Sequence, residues 1–168
     1  MTAKRVVQSF LTLAGSLGIC LLAGYVGWYP ALSGMPAWYA GLVKPVFSPQ
    51  SWVFSPAWIL SFILMGCALF FILQSGTSQQ NVRFGLILFG LQLLMTLAWA
   101  YAFFGIHAVF TAFLFIIALL ATLLCTVIQV IRFSVYGGML LVPYFVWVCY
   151  LAYVNYGIMV LNNFVYVI

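Results

Sequence analysis

The chain reads as long apolar runs cut by single cations. Val6–Val43, Pro45–Val82, Phe84–Ile131 and Phe133–Ile168 contain no Lys, Arg, Asp or Glu. A helix needs about 20 apolar residues to cross the hydrocarbon layer, so each run holds at least one crossing. None of the runs alternates apolar with polar residues as the strands of a membrane barrel do. Prolines and short polar breaks divide them into five predicted helices, at about 6–28, 51–74, 83–104, 108–131 and 136–161. The first is expected to end against Pro30, and the second carries Pro56 in its first turns and fades into Gln74–Asn81 (QSGTSQQN). Gly105–Ala108 (GIHA) parts the third helix from the fourth, and Arg132–Gly138 (RFSVYGG) turns into the fifth. The predicted fold class is an all-α integral membrane bundle of five transmembrane helices. A structured first loop over about 29–50 serves as its lid, and residues 1–168 form one domain.

Composition removes the soluble alternative. The chain is 68% apolar and 3% charged, against about 25% charged for a soluble domain. It has five basic residues, no Asp or Glu, and a net charge of +5. A nucleic-acid partner would need a basic stripe; these charges stand apart, so nucleic acid is excluded and they are read as orientation signals. Five crossings put Lys4, Arg5, Arg83 and Arg132 on one face and Lys44 on the other. The excess predicts an N-terminus inside and the lid outside, in a bacterial-type inner membrane or an organelle membrane. Lys4 and Arg5 before an apolar run resemble a signal peptide, but the run to Tyr29 is too long and lacks a clear cleavage site, so it is read as a retained helix. Cys20, Cys67, Cys125 and Cys149 lie in apolar runs without a CxxC pair. They are expected to pack as small apolar residues, with no disulfide framework or metal site.

Spacing then picks out helix faces. Small residues let helices approach closely in lipid; Gly15, Gly18, Gly24, Gly27, Gly137 and Gly138 are candidates, for packing within the bundle or for a dimer face. Trp147, Leu151 and Asn155 share one face of the fifth helix by i, i+4 spacing, as do Gln92, Thr96 and Trp99 in the third and Trp58 and Phe62 in the second. Polar groups at membrane depth tend to face inward, so three helices are expected to aim rings and a few polar atoms at a shared interior. That arrangement suits a slot for a flat apolar ligand. It equally suits a bundle glued by cross-helix hydrogen bonds of about 0.6 kcal/mol each.

One segment carries more information than spacing does. Met35–Trp58, MPAWYAGLVKPVFSPQSWVFSPAW, concentrates Pro36, Pro45, Pro49 and Pro56 with Trp38, Trp52 and Trp58. It resembles the first loop and second-helix start of the TspO or translocator-protein family, also called peripheral-type benzodiazepine receptors or tryptophan-rich sensory proteins. Trp38, Tyr39, Leu42, Lys44, Pro45, Pro49, Trp52, Val53, Phe54, Pro56 and Trp58 match that family's pattern. Met65–Gly66, Gln92 with Trp99, Phe103–Gly105, Leu140–Trp147, Ala152, Asn155 and Leu161–Asn162 match later landmarks in order. The resemblance implies a five-helix bundle, usually a homodimer, with a pocket closed by the first loop. It implies porphyrin ligands such as protoporphyrin IX and haem, synthetic isoquinolines and benzodiazepines, and in animals cholesterol. Carried over by position, the ligand-binding residues are Trp38, Tyr39, Lys44, Trp58 and Phe62 from the first half, and Thr96, Trp99, Trp147, Leu151 and Asn155 from the second. Lys44 would either meet a porphyrin propionate or bond loop carbonyls. Three positions depart from the usual pattern: Phe62 replaces Tyr, Thr96 replaces Asn and Leu151 replaces Ala, and the family's acidic loop residues are absent. A reversed cholesterol motif can be drawn from every basic residue and so discriminates nothing.

The resemblance implies a membrane receptor or carrier that takes porphyrin-like tetrapyrroles as ligands, with no covalently bound cofactor; its partners would be membrane lipid, the porphyrin and a second copy of the chain. A second reading is a light-dependent porphyrin-degrading enzyme using Trp58. Side-chain acid–base catalysis has little to draw on, since the chain offers His107 and no carboxylate side chain. A third reading, kept open by Phe62, Thr96 and Leu151, is a ligand-free scaffold or partner subunit.

Overall fold

In hydrocarbon a backbone amide has no water to bond, so the apolar runs must satisfy their own N–H and C=O groups as helices. The computed structural model describes residues 3–163. It contains α1 (Ala3–Gly34), α2 (Ser51–Gln74), α3 (Gln80–Ala100), α4 (Val109–Ile131) and α5 (Val135–Leu161), with no strand among the described residues. Each helix is long and apolar enough to span a membrane. Neighbouring pairs α1–α2, α3–α4 and α4–α5 pack most extensively, and α2 also lies against α5. The five-helix all-α bundle read from the sequence is therefore the fold.

The first helix departs from expectation. It does not stop near Trp28 but runs through Pro30 to Gly34, and a π-helical turn, Met35–Tyr39, extends it further. Much of the expected lid loop is thus helical, and the irregular part begins after Gly41. The cause is packing. Pro30, Ala31 and Gly34 are buried, and a Cβ on Gly34 would lie 2.5 Å from the carbonyl oxygen of Phe104. The end of α1 is held against the bundle, where a missing proline bond costs less than in an isolated helix. A second π-helical turn, Tyr101–Gly105, closes α3. His107 follows with φ 59°, and the chain reverses into α4 with the Ala108 amide bonded to the Ala102 carbonyl at 2.9 Å.

Glycines set the helix contacts. Gly24 faces the Phe62 ring, Gly27 faces Trp58 and Leu97, and Gly66 lies against the α1 backbone at Leu17. Gly138 abuts Ile131, whereas Gly15 and Gly18 face open space. Ser134 caps α5 by accepting the Gly137 amide at 3.2 Å.

Candidate ligand site

The three faces turn inward, with Trp147 at the end of the α5 row only partly buried. Gln92, Thr96, Trp99, Leu151 and Asn155 are all at least 96% buried. Trp99 donates its indole N–H to Asn155 Oδ1 at 3.0 Å, and Asn155 Nδ2 donates to the Val109 carbonyl at 3.1 Å. One side chain so joins α3, α5 and the start of α4. Thr96 shares a 2.6 Å hydroxyl contact with Tyr144 and also bonds the Gln92 carbonyl. Trp58 donates to the Gly24 carbonyl at 2.9 Å, tying α2 to α1.

Above this layer lies an aromatic cluster under the lid. Tyr39 sits edge-on to Phe54 at 5.4 Å, and Phe54 is edge-on to Trp147 at 6.2 Å. Trp99 stacks on Phe103 at 5.7 Å, and Trp58 reaches Trp99 at 6.3 Å and Phe62 at 5.1 Å. Phe104 fills the middle, with Tyr39, Phe54 and Trp99 each within 6.1 Å of its centroid. The rings therefore pack on one another rather than stand around an open slot. Among the described cavities, the one that includes expected ligand residues measures about 220 Å³ and lies between α1 and α2. Trp58 and Phe62 line it with Gly24, Tyr25 and Trp28. It is smaller than the roughly 300–1,000 Å³ of ligand pockets.

Two members of the cluster are incompletely satisfied. Trp147 Nε1 and Tyr39 Oη are buried without a hydrogen-bond partner, as is Gln92 Oε1 deeper in the bundle. Leaving such a group unpaired costs about 1–3 kcal/mol. Burial, with a smaller contribution from Tyr150, pushes the Tyr39 phenol up to about 12.

The lid is fastened to α5 at three levels. Val43 and Asn162 exchange two bonds, amide to Oδ1 at 3.0 Å and Nδ2 to carbonyl at 2.8 Å. Tyr150 donates to the Phe47 carbonyl at 2.6 Å. Between them Pro45 seats on Gly157, where a Cβ would come within 2.6 Å of the proline ring. Lys44 bonds the Ala40 and Leu42 carbonyls at 3.2 and 3.1 Å and lies 4.8 Å over the Tyr39 ring. Trp38 stands at the cluster's rim, edge-on to Phe103 at 5.2 Å and stacked on His107 at 4.3 Å.

The expected residues thus fall into two groups, Trp58, Phe62 and Trp99 on one side and Tyr39, Lys44 and Trp147 on the other. Phe54, Phe103 and Phe104, none of them singled out as ligand residues, join the two groups. Tyr144 was also missed, although it belongs to the buried series Tyr144–Val148–Leu151–Asn155 on α5. That i, i+4, i+7, i+11 spacing is the signal that finds it.

The TspO/MBR family model matches residues 16–161. Over 157 residues the chain is 36% identical to the tryptophan-rich protein TspO of Chlorobaculum tepidum, covering 92% of this chain and 98% of that relative. It is 30% identical to the Archaeoglobus fulgidus protein of the same name, covering 92% and 99%. The translocator protein of Sus scrofa is 30% identical over 146 residues, covering 86% of this chain and 83% of its own.

Proposed function

The chain belongs to the TspO/MBR family, and on that premise we propose that it is a membrane receptor or carrier for flat, porphyrin-like tetrapyrroles. Its five apolar helices and its family make it a multi-pass membrane protein. The single observation that carries the ligand reading is the pair of unpartnered donors, Trp147 Nε1 and Tyr39 Oη, buried in an aromatic cluster beneath a fastened lid. A planar guest supplies both what the cluster lacks, hydrogen-bond acceptors, and what its ring faces favour, an offset π-surface. Lys44 spends two of its three N–H donors on loop carbonyls, which leaves one for a propionate. The packed cluster is the closed, ligand-free state, and binding spreads Phe54, Phe103 and Phe104. In the membrane the N-terminus faces inside, following the four cations at that end.

Tryptophan quenching by protoporphyrin IX in purified full-length protein tests this reading. Saturable quenching at micromolar concentration that weakens in Trp147→Phe supports the receptor. No saturable quenching leaves the ligand-free scaffold. A second reading, photochemical degradation of the porphyrin, draws on the row Trp28–Trp58–Trp99, whose neighbouring centroids are each 6.3 Å apart. Illuminating the complex and following a product spectrum, with Trp58→Phe as control, tests it.

A further inference from the structure

At the end of the bundle opposite the lid, α1 and α2 part to form a second kind of cavity. It measures about 530 Å³, and Arg5, Gln8, Ser9, Thr12 and Gln74 line it with two apolar residues, Val6 and Leu73. Gln74 Nε2 donates to Ser9 Oγ at 3.2 Å, bracing the two walls and leaving the serine proton free to donate. Lys4 and Arg5 also border a more open hollow of about 770 Å³ on the neighbouring side of the same turns, lined as well by Val7, Gln8 and Leu11. The chain has no Asp or Glu, so Arg5 has no side-chain carboxylate to pair with anywhere in the fold. Arg83 at the start of α3 and Arg132 at the end of α4 reinforce the positive field at this end.

We propose that this cavity binds the phosphate of an anionic phospholipid headgroup. The Thr12 hydroxyl donates to the Gln8 carbonyl at 2.9 Å, so the donors left are the Arg5 guanidinium, the side-chain amides of Gln8 and Gln74 and the Ser9 hydroxyl. Such a set matches phosphate oxygens, and basic pockets between transmembrane helices bind such headgroups. The apolar part of the wall argues for lipid over free phosphate. Val6 lies beside Arg5 in the cavity, and Phe10, one helical turn on from Val6, adds exposed apolar surface along α1. A headgroup seated on Arg5 has its glycerol and acyl chains laid on that surface. The site stands at the far end of the bundle from the aromatic cluster and does not depend on the porphyrin reading.

The test uses the full chain, extracted from vesicles of equal phosphatidylcholine and phosphatidylglycerol, with retained lipid counted by native mass spectrometry. The protein should keep phosphatidylglycerol in preference to phosphatidylcholine. Arg5→Gln should lower the retained phosphatidylglycerol roughly fivefold, while Lys44→Gln, at the lid end, should leave it unchanged. Should Arg5→Gln fail to fold, Gln8→Ala at an exposed position reads the same retention: a drop supports the site and no change overturns it. Equal losses in Arg5→Gln and Lys44→Gln, or no preference for the anionic lipid, overturn the proposal. Displacement by millimolar inorganic phosphate as complete as by phosphatidylglycerol overturns the lipid assignment in favour of free phosphate.

Discussion

Trp99 and Asn155 face each other across the centre of the bundle, the indole N–H donating to the amide oxygen at 3.0 Å while the amide nitrogen bonds Val109 at 3.1 Å. Asn155 is thus a structural clasp between three helices, whatever else it touches when a ligand is present. Asn155→Leu strands both the indole donor and the Val109 carbonyl, and is expected to cost about 1–3 kcal/mol. Thermal unfolding in detergent measures it. Adding Trp99→Phe removes one stranded partner, so the double variant should be less destabilised than the two single losses summed.

Leu151 is 96% buried, and truncating it has opposed effects on stability and binding. Leu151→Ala should lower stability by about 2–5 kcal/mol through the cavity it leaves. If Leu151 belongs to the proposed ligand wall, the same space should tighten protoporphyrin binding by about tenfold to a hundredfold, by relieving overpacking against a large guest. Paired melting and quenching titrations read both. Unchanged or weaker binding would remove Leu151 from the ligand wall.

Gly157 gives Pro45 its seat. Gly157→Ala sets a methyl group 2.6 Å from the Pro45 ring and should push the lid off α5, at about 1–3 kcal/mol. Stopped-flow release of bound protoporphyrin should be faster than in the unaltered protein, by roughly tenfold.

Tyr39 links pH to the lid. Its phenol is pushed up to about 12 by burial, above an ordinary value near 10. Below that ordinary value the phenol is neutral in both the folded and unfolded states, so its contribution to stability is fully present. That contribution is lost as pH rises through about 12, because the unfolded chain gives up the proton first. Tyr39→Phe should flatten this alkaline loss in a melting series. It should also stabilise the ligand-free protein, by removing the unpaired hydroxyl, while weakening porphyrin binding.

Hydropathy made the five crossings legible, because a charge-free run of that length has one stable form in lipid. It misplaced the end of α1. Pro30 reads locally as a stop, and only the contact of Gly34 with the Phe104 backbone, a tertiary fact, carries the helix past it. Helical spacing found the inward faces of α2, α3 and α5, since polar atoms at membrane depth have few other places to go. It could not find the ring-to-ring packing. Phe54, Phe103 and Phe104 carry no polar atom to distinguish them from the other phenylalanines, and which of them meet depends on two π-helical turns that periodicity does not reveal. The lid fastenings were equally hidden, since Tyr150, Gly157 and Asn162 lie more than a hundred positions from their partners.

The bond between Val43 and Asn162 spans 119 positions. At about 5–20 residues per second, the ribosome makes the second partner roughly 6–24 s after the first. During that interval the lid has only its contacts with α2 and the turn after α3, at Phe54, Phe103 and Phe104, and none with α5. The last crossing brings the inward face of Trp147, Leu151 and Asn155 together with those lid fastenings, so the interior and its cover are completed in the same step.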